Sequence, residues 1–348
     1  MTYNVNMKDI VRVNSYDDSR FSETVLRQHG CFLVDDEPYE VEITGRNEAV
    51  VRGKEASNYA ELIEWFRFFA PEITAFKDEK GELIVRYDDP EILTVKVSDL
   101  QPSQFYVDAQ KAAVMEEIIQ TEEDIVIQVH PYKGRYISLD GHTRLYIAVK
   151  RDYETVKGIV SETDYSIFDF VDEAIRRGIT APKDMVLLEH EEYETLWNKY
   201  CDDYFADRIW FNQSDSCKVS VNDEQKEFVS SREKMAKALK QENVMGFDIM
   251  HGEDIIGFAM LRKYEEKGYF LWNYLIDEKY QHQGYGSKAL RELIRLITFE
   301  YRAENITTTC ISGNDTALKM YQKAGFIITD VIDEDDIHET NLLLKTEA

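Results

Sequence analysis

Polar and apolar residues alternate along several short stretches of the first part of the chain, with the period of two that a half-buried strand requires. Two such stretches, Cys31–Val34 and residues 39–43, flank an acidic turn and predict a β-hairpin. Apolar residues at helical spacing follow at 59–66, and a further strand is predicted at 84–87. Residues 1–92 are therefore expected to form a small α+β unit without recognisable catalytic chemistry.

Short strands and helices follow one another closely between residues 93 and 163. The pattern predicts two helices, at 109–120 and 145–150. It also predicts strands at 94–97, 125–129, 135–139 and 155–160. Residues 164–205 instead carry apolar residues at helical spacing, so they are expected to form a helical connector.

The remaining segment, residues 206–348, contains two strands around a tight polar turn at 246–250 and 255–261. A third strand, Gly268–Ile276, leads into a glycine-containing turn. The helix predicted after this turn has an apolar face, formed by Leu290, Leu293, Ile294 and Ile297.

The length of 348 residues exceeds what one hydrophobic core usually organises, so more than one domain is expected. The 67 acidic and 41 basic residues give a net charge of -26. Such a balance repels phosphate backbones and anionic lipids, which argues against nucleic-acid and membrane partners. The charge either serves solubility alone or also favours cationic substrates.

The four cysteines are scattered along the chain without the spacing of a zinc site or a redox pair. No apolar stretch has the length of a membrane span, and the N-terminus lacks the pattern of an export signal. A cytoplasmic protein with reduced thiols and without a metal site is expected.

Residues 140–144 form a polar turn between a predicted strand and a predicted helix. Its residues with chemistry suited to phosphate, a metal or proton transfer are Asp140, Gly141, His142 and Arg144. The order of elements over residues 93–162 resembles the ParB/sulfiredoxin-like α+β fold, in which such a loop lies at a nucleotide site. The resemblance implies a bound nucleotide here, although the lack of a neighbouring cysteine argues against sulfinic-acid reduction. The alternative is a scaffold that only senses or docks another molecule.

The turn after the Gly268–Ile276 strand has the sequence Gln-His-Gln-Gly-Tyr-Gly at residues 281–286. A strand that opens a helix through such a turn directs backbone N–H groups and the positive end of the helix dipole to one point, which suits a diphosphate. Gly284 and Gly286 let the backbone approach an anion closely. The bare glycine pattern is common, however, and many such turns only close a loop.

Downstream, residues 314–326 have the sequence Asn-Asp-Thr-Ala-Leu-Lys-Met-Tyr-Gln-Lys-Ala-Gly-Phe. Together with the turn at 281–286, this segment resembles the GNAT acyltransferase superfamily over residues 217–346. The sequence around the turn is most similar to the diamine and spermidine acetyltransferases. The resemblance implies a mixed, centrally splayed sheet flanked by helices. It also implies transfer of an acetyl group from acetyl-CoA to a primary amine.

The GNAT resemblance further implies roles for individual residues. The amides of residues 281–287 would hold the diphosphate of coenzyme A, and the backbone of Leu275 and Ile276 would pair with the pantetheine arm. Tyr321 would protonate the departing thiolate, unless its ring only packs a helix on the sheet. The implied cofactor-binding positions are Leu275, Ile276, Gln281, His282, Gln283, Gly284, Tyr285, Gly286, Ser287, Asn314, Ala317 and Lys323.

A general base is harder to assign, because the strand before the turn offers Asn273 and Tyr274 but no carboxylate. We expect deprotonation of the amine through water or by a carboxylate from elsewhere, with Glu339 and Asp248 as candidates. His282 is suitable by type, but it lies within the predicted diphosphate loop and is expected to face solvent.

The acceptor is expected to be a small cationic amine such as a polyamine. This follows from the resemblance and from the acidic run at residues 333–336, which would attract a cation. The alternative is that this run is only a solvated turn.

The sequence thus predicts a multidomain α/β and α+β protein. Its expected segments are an α+β unit at 1–92, a ParB/sulfiredoxin-like domain at 93–163, a helical connector at 164–205 and a GNAT domain at 206–348. The predicted activity is that of an acetyl-CoA-dependent N-acetyltransferase. The alternative is a nucleotide-binding regulatory protein or a small-molecule kinase that acts through the middle domain.

Overall fold

The computed structural model describes residues 10–13, 18–28, 30–334 and 337–346. The chain divides into two compact units, Met1–Tyr193 and Glu194–Ala348.

The first unit is built on two main sheets and a short strand pair. Its strands are β1 (Ile10–Arg12), β2 (Cys31–Val34), β3 (Glu37–Ile43), β4 (Glu48–Gly53), β5 (Ala75–Lys77), β6 (Leu83–Arg86), β7 (Leu93–Lys96), β8 (Leu100–Pro102), β9 (Tyr106–Asp108), β10 (Val126–Tyr132), β11 (Arg135–Ser138), β12 (Thr155–Val160) and β13 (Val186–Leu188). Its helices are α1 (Glu23–Gln28), α2 (Tyr59–Phe69), α3 (Ala109–Ile118), α4 (His142–Lys150), α5 (Ile167–Arg176) and α6 (His190–Tyr193).

The N-terminal sheet has the strand order β1-β2-β3-β4-β5-β6 and is covered by α2. The predicted hairpin is confirmed as the antiparallel pair of β2 and β3. Helix α2 buries an apolar stripe against the sheet, and its Phe66 ring meets Phe32 and Phe76 edge to face, with centroids 6.4 and 6.0 Å apart. The apolar residues of α2 recur at helical spacing because they form the face that is buried against the sheet.

The second sheet has the order β7-β12-β10-β11-β8, and α4 packs on it. The strands and helices predicted between residues 93 and 163 are confirmed, except that α4 begins three residues earlier, at His142. Gly141 is the N-cap residue of α4 and has a left-handed conformation (φ 82°) that glycine adopts without strain. The helix therefore begins directly after the turn, at His142.

The sequence predicts a helical connector at residues 164–205. The structure corrects this prediction, because these residues are not helical throughout. Strand β13 lies within them and pairs in parallel with β9, at Val186 and Tyr106. The apolar triplet Val-Leu-Leu of β13 is too short to show a period of two, so periodicity alone cannot distinguish it from helix. This pairing connects the predicted connector to the predicted middle domain within the first unit.

The second unit contains one mixed sheet of seven strands in the order β14-β15-β16-β17-β18-β20-β19. Its strands are β14 (Ile209–Gln213), β15 (Val244–His251), β16 (Asp254–Glu265), β17 (Gly268–Ile276), β18 (Asn305–Ile311), β19 (Ile327–Glu334) and β20 (Ile337–Lys345). Its helices are α7 (Lys199–Ala206), α8 (Arg232–Ala238), α9 (Tyr285–Glu300) and α10 (Asp315–Lys323). The three strands and the helix predicted before and after the glycine turn are confirmed, whereas β14 was not predicted.

Two apolar clusters occupy the two faces of this sheet. On the first face, α9 and α10 bury residues such as Leu290, Leu293 and Tyr321 against the sheet. On the second face, α8 and the segment before it cover Phe258 and Leu275. Neighbouring residues of one strand, such as Phe258 and Ala259, therefore belong to different clusters, as the pleat of a strand requires.

Within the part of the chain that the structure describes, no helix combines the length and the apolar composition needed to cross a lipid bilayer.

The contrast between Phe66 and Phe68 tests the core of the N-terminal sheet. Phe66 is 2% exposed and Phe68, in the same helix, is 71% exposed. Phe66→Ala should lower the free energy of unfolding of the first unit by about 3–5 kcal/mol, because a buried aromatic ring is removed. Phe68→Ala should change it by less than about 1 kcal/mol. Urea unfolding followed by circular dichroism measures both, and equal losses would contradict the assignment of this core.

Candidate functional site

The parallel strands β17 and β18 separate in the middle of the sheet. They pair from Gly268 and Asn305 up to Leu271 and Thr308. Beyond this point β17 continues to Ile276 beside β16, and β18 continues beside β20. A cleft therefore opens between two strands that start as neighbours.

A β-bulge lies at the point of separation. Met260 of β16 is paired with Asn273 of β17, but the next residue, Leu261, is paired with Leu271. Trp272 is thus the extra residue on β17. A bulge bends the strand that carries it and increases its twist, so it accounts for the divergence of β17 from β18.

The free edge of β17 borders this cleft. The N–H of Asp277 donates to the carbonyl oxygen of Ile256 in β16 (2.9 Å). Because alternate residues of a strand direct their backbone groups to opposite edges, Ile276 and Tyr274 face the cleft and Leu275 faces β16. Of the two predicted pantetheine contacts, the geometry therefore directs the Ile276 backbone to the open edge, and its carbonyl already accepts from Gln281 Nε2 (2.9 Å).

The glycine turn carries the chain from β17 into α9 beside the cleft. Gly284 is the N-cap residue of α9 and has a left-handed conformation (φ 86°). A Cβ atom at Gly284 would meet no heavy atom within 4 Å, so the backbone there is open to a ligand. The N–H of Lys288 donates to the Gly284 carbonyl (3.2 Å) as the first turn of the helix closes. The amides before it, at Tyr285, Gly286 and Ser287, stand at the positive end of the helix dipole.

The side chains of the turn hold it in place. Gln281 and Gln225 exchange a reciprocal pair of amide hydrogen bonds (2.9 and 3.1 Å). Gln283 donates to the carbonyl oxygen of Lys279 (2.9 Å). His282 is exposed, as expected, and has a positive φ of 61°. The ring of Tyr285 packs on that of His251, with centroids 4.9 Å apart.

Tyr321 lies on α10 and is buried against the first face of the sheet, where its hydroxyl contacts Thr308. Thr308 is the last residue of β18 that pairs with β17, and its hydroxyl donates to the carbonyl oxygen of Leu271 (2.9 Å). Burial raises the pKa of Tyr321 to about 12. The phenol at the base of the cleft therefore keeps its proton at neutral and moderately alkaline pH.

Tyr274 provides a second buried phenol from the β17 side. Its hydroxyl donates to the carbonyl oxygen of Gly286 in the first turn of α9 (2.6 Å). Burial raises the pKa of Tyr274 well above its usual range, and the neighbouring Tyr321 raises it further. Tyr274 thus connects the strand edge, the helix N-terminus and Tyr321.

The other residues implied by the GNAT resemblance lie on α10 or just before it. The Asn314 side-chain oxygen caps α10 by accepting from the N–H of Ala317 (3.2 Å). Ala317 is half-buried against the core of the first face, and Lys323 is exposed at the end of the helix. Asn314 thus has a structural role as the N-cap of α10. Its contact with a cofactor stays a prediction.

The two carboxylates suggested as a general base both lie away from the edge of β17. Asp248 is on β15, separated from β17 by β16, and accepts a hydrogen bond from Lys218 Nζ (2.5 Å). Glu339 is on β20, paired with Ile311 of β18. Neither position gives direct contact with the open edge, so their roles as a base stay a prediction.

The acidic run is partly described. Asp333 and Glu334 are exposed at the end of β19, and Asp333 bonds with His338 Nδ1 (2.5 Å). Asp335 and Asp336 lie outside the described residues.

Sequence reasoning missed Thr308, Gln225 and the bulge at Trp272. Thr308 and Gln225 belong to segments far from the glycine turn along the chain, and their types are common. Only the pairing register identifies the bulge, since the sequence of β17 reads as one continuous strand. The hydrogen bond from Tyr274 to Gly286 was not predicted either.

In the loop at residues 140–144, His142 and Arg144 both have partners within the protein. His142 is buried, and its Nε2 accepts from the N–H of Gln104 (3.3 Å) and lies 3.1 Å from the Ser138 hydroxyl. Burial lowers the pKa of His142 to about 4. Arg144 is ion-paired with Glu72 (3.6 Å) and Asp140 (3.4 Å). The imidazole thus acts as an interior hydrogen-bonding group, and nucleotide binding here stays a prediction, as does the ParB/sulfiredoxin-like fold.

Comparison with known proteins agrees with the geometry of the second unit. Residues 184–326 match the sequence model of the acetyltransferase (GNAT) family. A spermine/spermidine N(1)-acetyltransferase of Bacillus subtilis strain 168 is 33% identical over 87 residues, which are 23% of this chain and 57% of that protein. A probable spermine N(1)-acetyltransferase of Bacillus subtilis subsp. natto is 32% identical over 87 residues, which are again 23% of this chain and 57% of that protein. The chain thus spans 57% of the length of these relatives, and the match to the family model covers residues 184–326.

Part of the chain is also similar to solved structures. A GNAT family acetyltransferase from Elizabethkingia anophelis with acetyl-CoA bound has 20% identity and a TM-score of 0.33, covering 40% of this chain and 99% of that one. Spermidine N-acetyltransferase from Vibrio cholerae in complex with CoA and spermine has 11% identity and a TM-score of 0.32, covering 39% and 95%.

The raised pKa of Tyr321 predicts a pH dependence of stability. A phenol whose pKa is higher in the folded state stabilises the fold fully below pH 10, and this contribution is lost as the pH rises from 10 toward 12. Between pH 9 and 11 the wild type should therefore lose about 1.4 kcal/mol more than Tyr321→Phe. Urea unfolding at both pH values measures the difference. Tyr264→Phe alters a half-exposed ring and should lose as much unfolding free energy between pH 9 and 11 as the wild type does. If Tyr321→Phe also loses as much as the wild type, Tyr321 is not a buried neutral phenol.

Proposed function

We propose that the second unit is an acetyl-CoA-dependent N-acetyltransferase that acts on a small cationic amine. The observation that carries the proposal is the cleft between β17 and β18, with the glycine turn at one end and the Tyr321 phenol at its base. The cleft brings together an extended backbone edge, a turn suited to an anion and a buried phenol. The family match supports the same activity.

The residues present fit coenzyme A. The amides from Gln281 to Ser287 would hold the diphosphate: a Cβ at Gly284 would meet no heavy atom within 4 Å, so the backbone there is accessible, and the dipole of the 16-residue helix α9 favours a negative group at its N-terminus. The free edge of β17 at Ile276 offers backbone groups to the amides of a pantetheine arm. When bound, acetyl-CoA supplies an activated acetyl thioester.

The proton needed by a departing thiolate would come from Tyr321. Its hydroxyl is at the point where β17 and β18 separate, and its high pKa keeps it protonated at neutral pH. Tyr274 would hold the helix N-terminus against the strand through Gly286, which keeps the anion site and the cleft in register. Deprotonation of the amine is assigned to water, because Asp248 and Glu339 lie on other strands.

The acceptor class is inferred from charge. The chain carries a net charge of -26, which raises the local concentration of cations, and the curated relatives are named as spermine or spermidine acetyltransferases. A small polyamine satisfies both observations.

Two glycines with positive φ test the anion site. Gly284 (φ 86°) is in the turn, whereas Gly252 (φ 57°) is in the β15–β16 turn, and a Cβ at either would meet no heavy atom within 4 Å. Gly284→Val and Gly252→Val should each cost about 1–2 kcal/mol of stability through strain. Only Gly284→Val should weaken acetyl-CoA binding, by about 10-fold or more in calorimetric titration. Unchanged affinity in folded Gly284→Val would refute the site.

The acceptor class is tested by release of CoA with spermidine, a lysine-containing peptide and a neutral arylamine. Spermidine should give the highest kcat/KM. Its value should fall several-fold as the ionic strength rises from about 0.01 to 0.15 M, because screening shortens the range of attraction to about 8 Å. The value for the neutral arylamine should not change with salt. Equal turnover of neutral and cationic amines would exclude electrostatic selection even if acetyl transfer occurs.

A further inference from the structure

Residues 220–230 form a strap on the second face of the seven-stranded sheet. The strap contains a short 3₁₀-helix, Asp223–Phe228. Val221 and Val229, which flank this helix, pack against the apolar cluster of the second face. The strap therefore lies on the side of the sheet opposite to α9 and α10, which pack on the first face.

Hydrogen bonds hold the strap to the β17 side of the cleft at two places. Gln225 exchanges its pair of amide hydrogen bonds with Gln281 of the glycine turn. The N–H of Ser230 donates to the side-chain oxygen of Asn273 (2.9 Å), which is next to the bulge of β17. The strap is thus fixed both at the turn and at the point where β17 leaves β18.

Phe228 lies between these two attachments and extends to the other side of the cleft. Its side chain is half-buried. A Cβ atom built at Gly313 would lie 3.8 Å from both Cε1 and Cζ of the Phe228 ring, so the ring is next to the backbone of Gly313. Gly313 follows the last residue of β18, Ile311, by two positions. A ring carried by a segment bonded to β17 therefore reaches the end of β18.

The first face leaves no room for an acceptor to enter the cleft. Helices α9 and α10 pack there, and the ring of Tyr321 is buried between α10 and the sheet. The glycine turn, at the end of the cleft, is the place proposed for the diphosphate of the cofactor. An acceptor amine is therefore left with the second face, where the Phe228 ring lies between the ends of the two strands.

β18 presents an apolar side chain on this second face. Cys310 belongs to the cluster of the first face, so its neighbour Ile311 is directed to the second. Ile311 is 40% exposed, although it is a large apolar residue. The approach to the cleft is thus bordered by the aromatic ring of Phe228 and by an aliphatic side chain. Such a border suits the methylene groups of an alkylamine, which lose apolar surface to water when they contact it.

We propose that Phe228 determines which amines reach the cleft: it admits unbranched alkylamines and excludes amines that carry a bulky ring beside the amino group. The proposal rests on the proposed acetyltransferase function. The ring acts through its position and takes no part in proton transfer. Its face is also able to contact a passing ammonium group.

The kinetic test uses two variants with opposite expected effects, and compares octylamine with 1-naphthylmethylamine. In Phe228→Ala, kcat/KM for 1-naphthylmethylamine should rise about 10-fold or more, because the obstructing ring is removed, and that for octylamine should stay within about 3-fold. In Phe228→Trp, the larger ring should lower kcat/KM for octylamine about 10-fold. The KM for acetyl-CoA should not change in either variant. A ring that only stabilises the strap predicts lower values for both amines in both variants, which would overturn the proposal.

Phe211→Ala is the matched control. Phe211 is also half-buried, but it lies on the edge strand β14, three strands away from β17. Phe211→Ala should leave the ratio of kcat/KM for the two amines unchanged, whereas Phe228→Ala should shift this ratio about 10-fold toward 1-naphthylmethylamine. The same shift in both variants would indicate a general loosening of the unit and would contradict a role of Phe228 in selection.

Binding measurements separate the selection of amines from the activity. Calorimetric titration of the protein with CoA present should show 1-naphthylmethylamine binding at least about 10-fold more tightly to Phe228→Ala than to the wild type. If this is found and no amine is acetylated, Phe228 selects amines and the proposed activity fails. If acetyl transfer occurs and the preference among amines is the same in the wild type, Phe228→Ala and Phe228→Trp, the activity stands and the selection by Phe228 is wrong.

Discussion

The separation of β17 from β18 after the Leu271–Thr308 pair is the constraint on which the site in the second unit depends. Strand edges that leave a sheet lose backbone hydrogen bonds, so the separation is stable only because each strand keeps a partner on its other side, β16 or β20. The bulge at Trp272 sets where this happens. Every other feature of the site, from the glycine turn to the Tyr321 phenol, is positioned relative to that point.

The polar groups around the cleft are held by contacts with one another. Tyr274 bonds to the first turn of α9, Thr308 bonds to Leu271 at the last shared pair, and Gln281 bonds to both Ile276 and Gln225. Such bonds fix the position of the turn relative to the strand edge before any ligand arrives. Burial also keeps the phenols of Tyr274 and Tyr321 protonated, because a phenol removed from water resists ionisation.

The two units use buried polar residues differently. In the first unit, His142 and Arg144 have partners of their own, at Gln104, Ser138, Glu72 and Asp140, which favours a structural role for this turn. In the second unit, Asp248 retains an oxygen without a donor although a lysine is present. A satisfied network rigidifies a fold, whereas a buried oxygen without a donor costs stability.

The sequence by itself determined the local elements and the chemistry of the glycine turn, because hydrophobic periodicity and the special conformations of glycine are properties of neighbouring residues. The hairpin of β2 and β3, the strand Gly268–Ile276 and helix α9 are of this kind. The tertiary structure alone decided the features that join distant segments: the parallel pairing of β13 with β9, the contact of Tyr321 with Thr308, and the bond between Gln225 and Gln281. It also decided that His142 is interior and that Asp248 faces Lys218, since burial and register arise only when strands far apart in the chain are packed side by side.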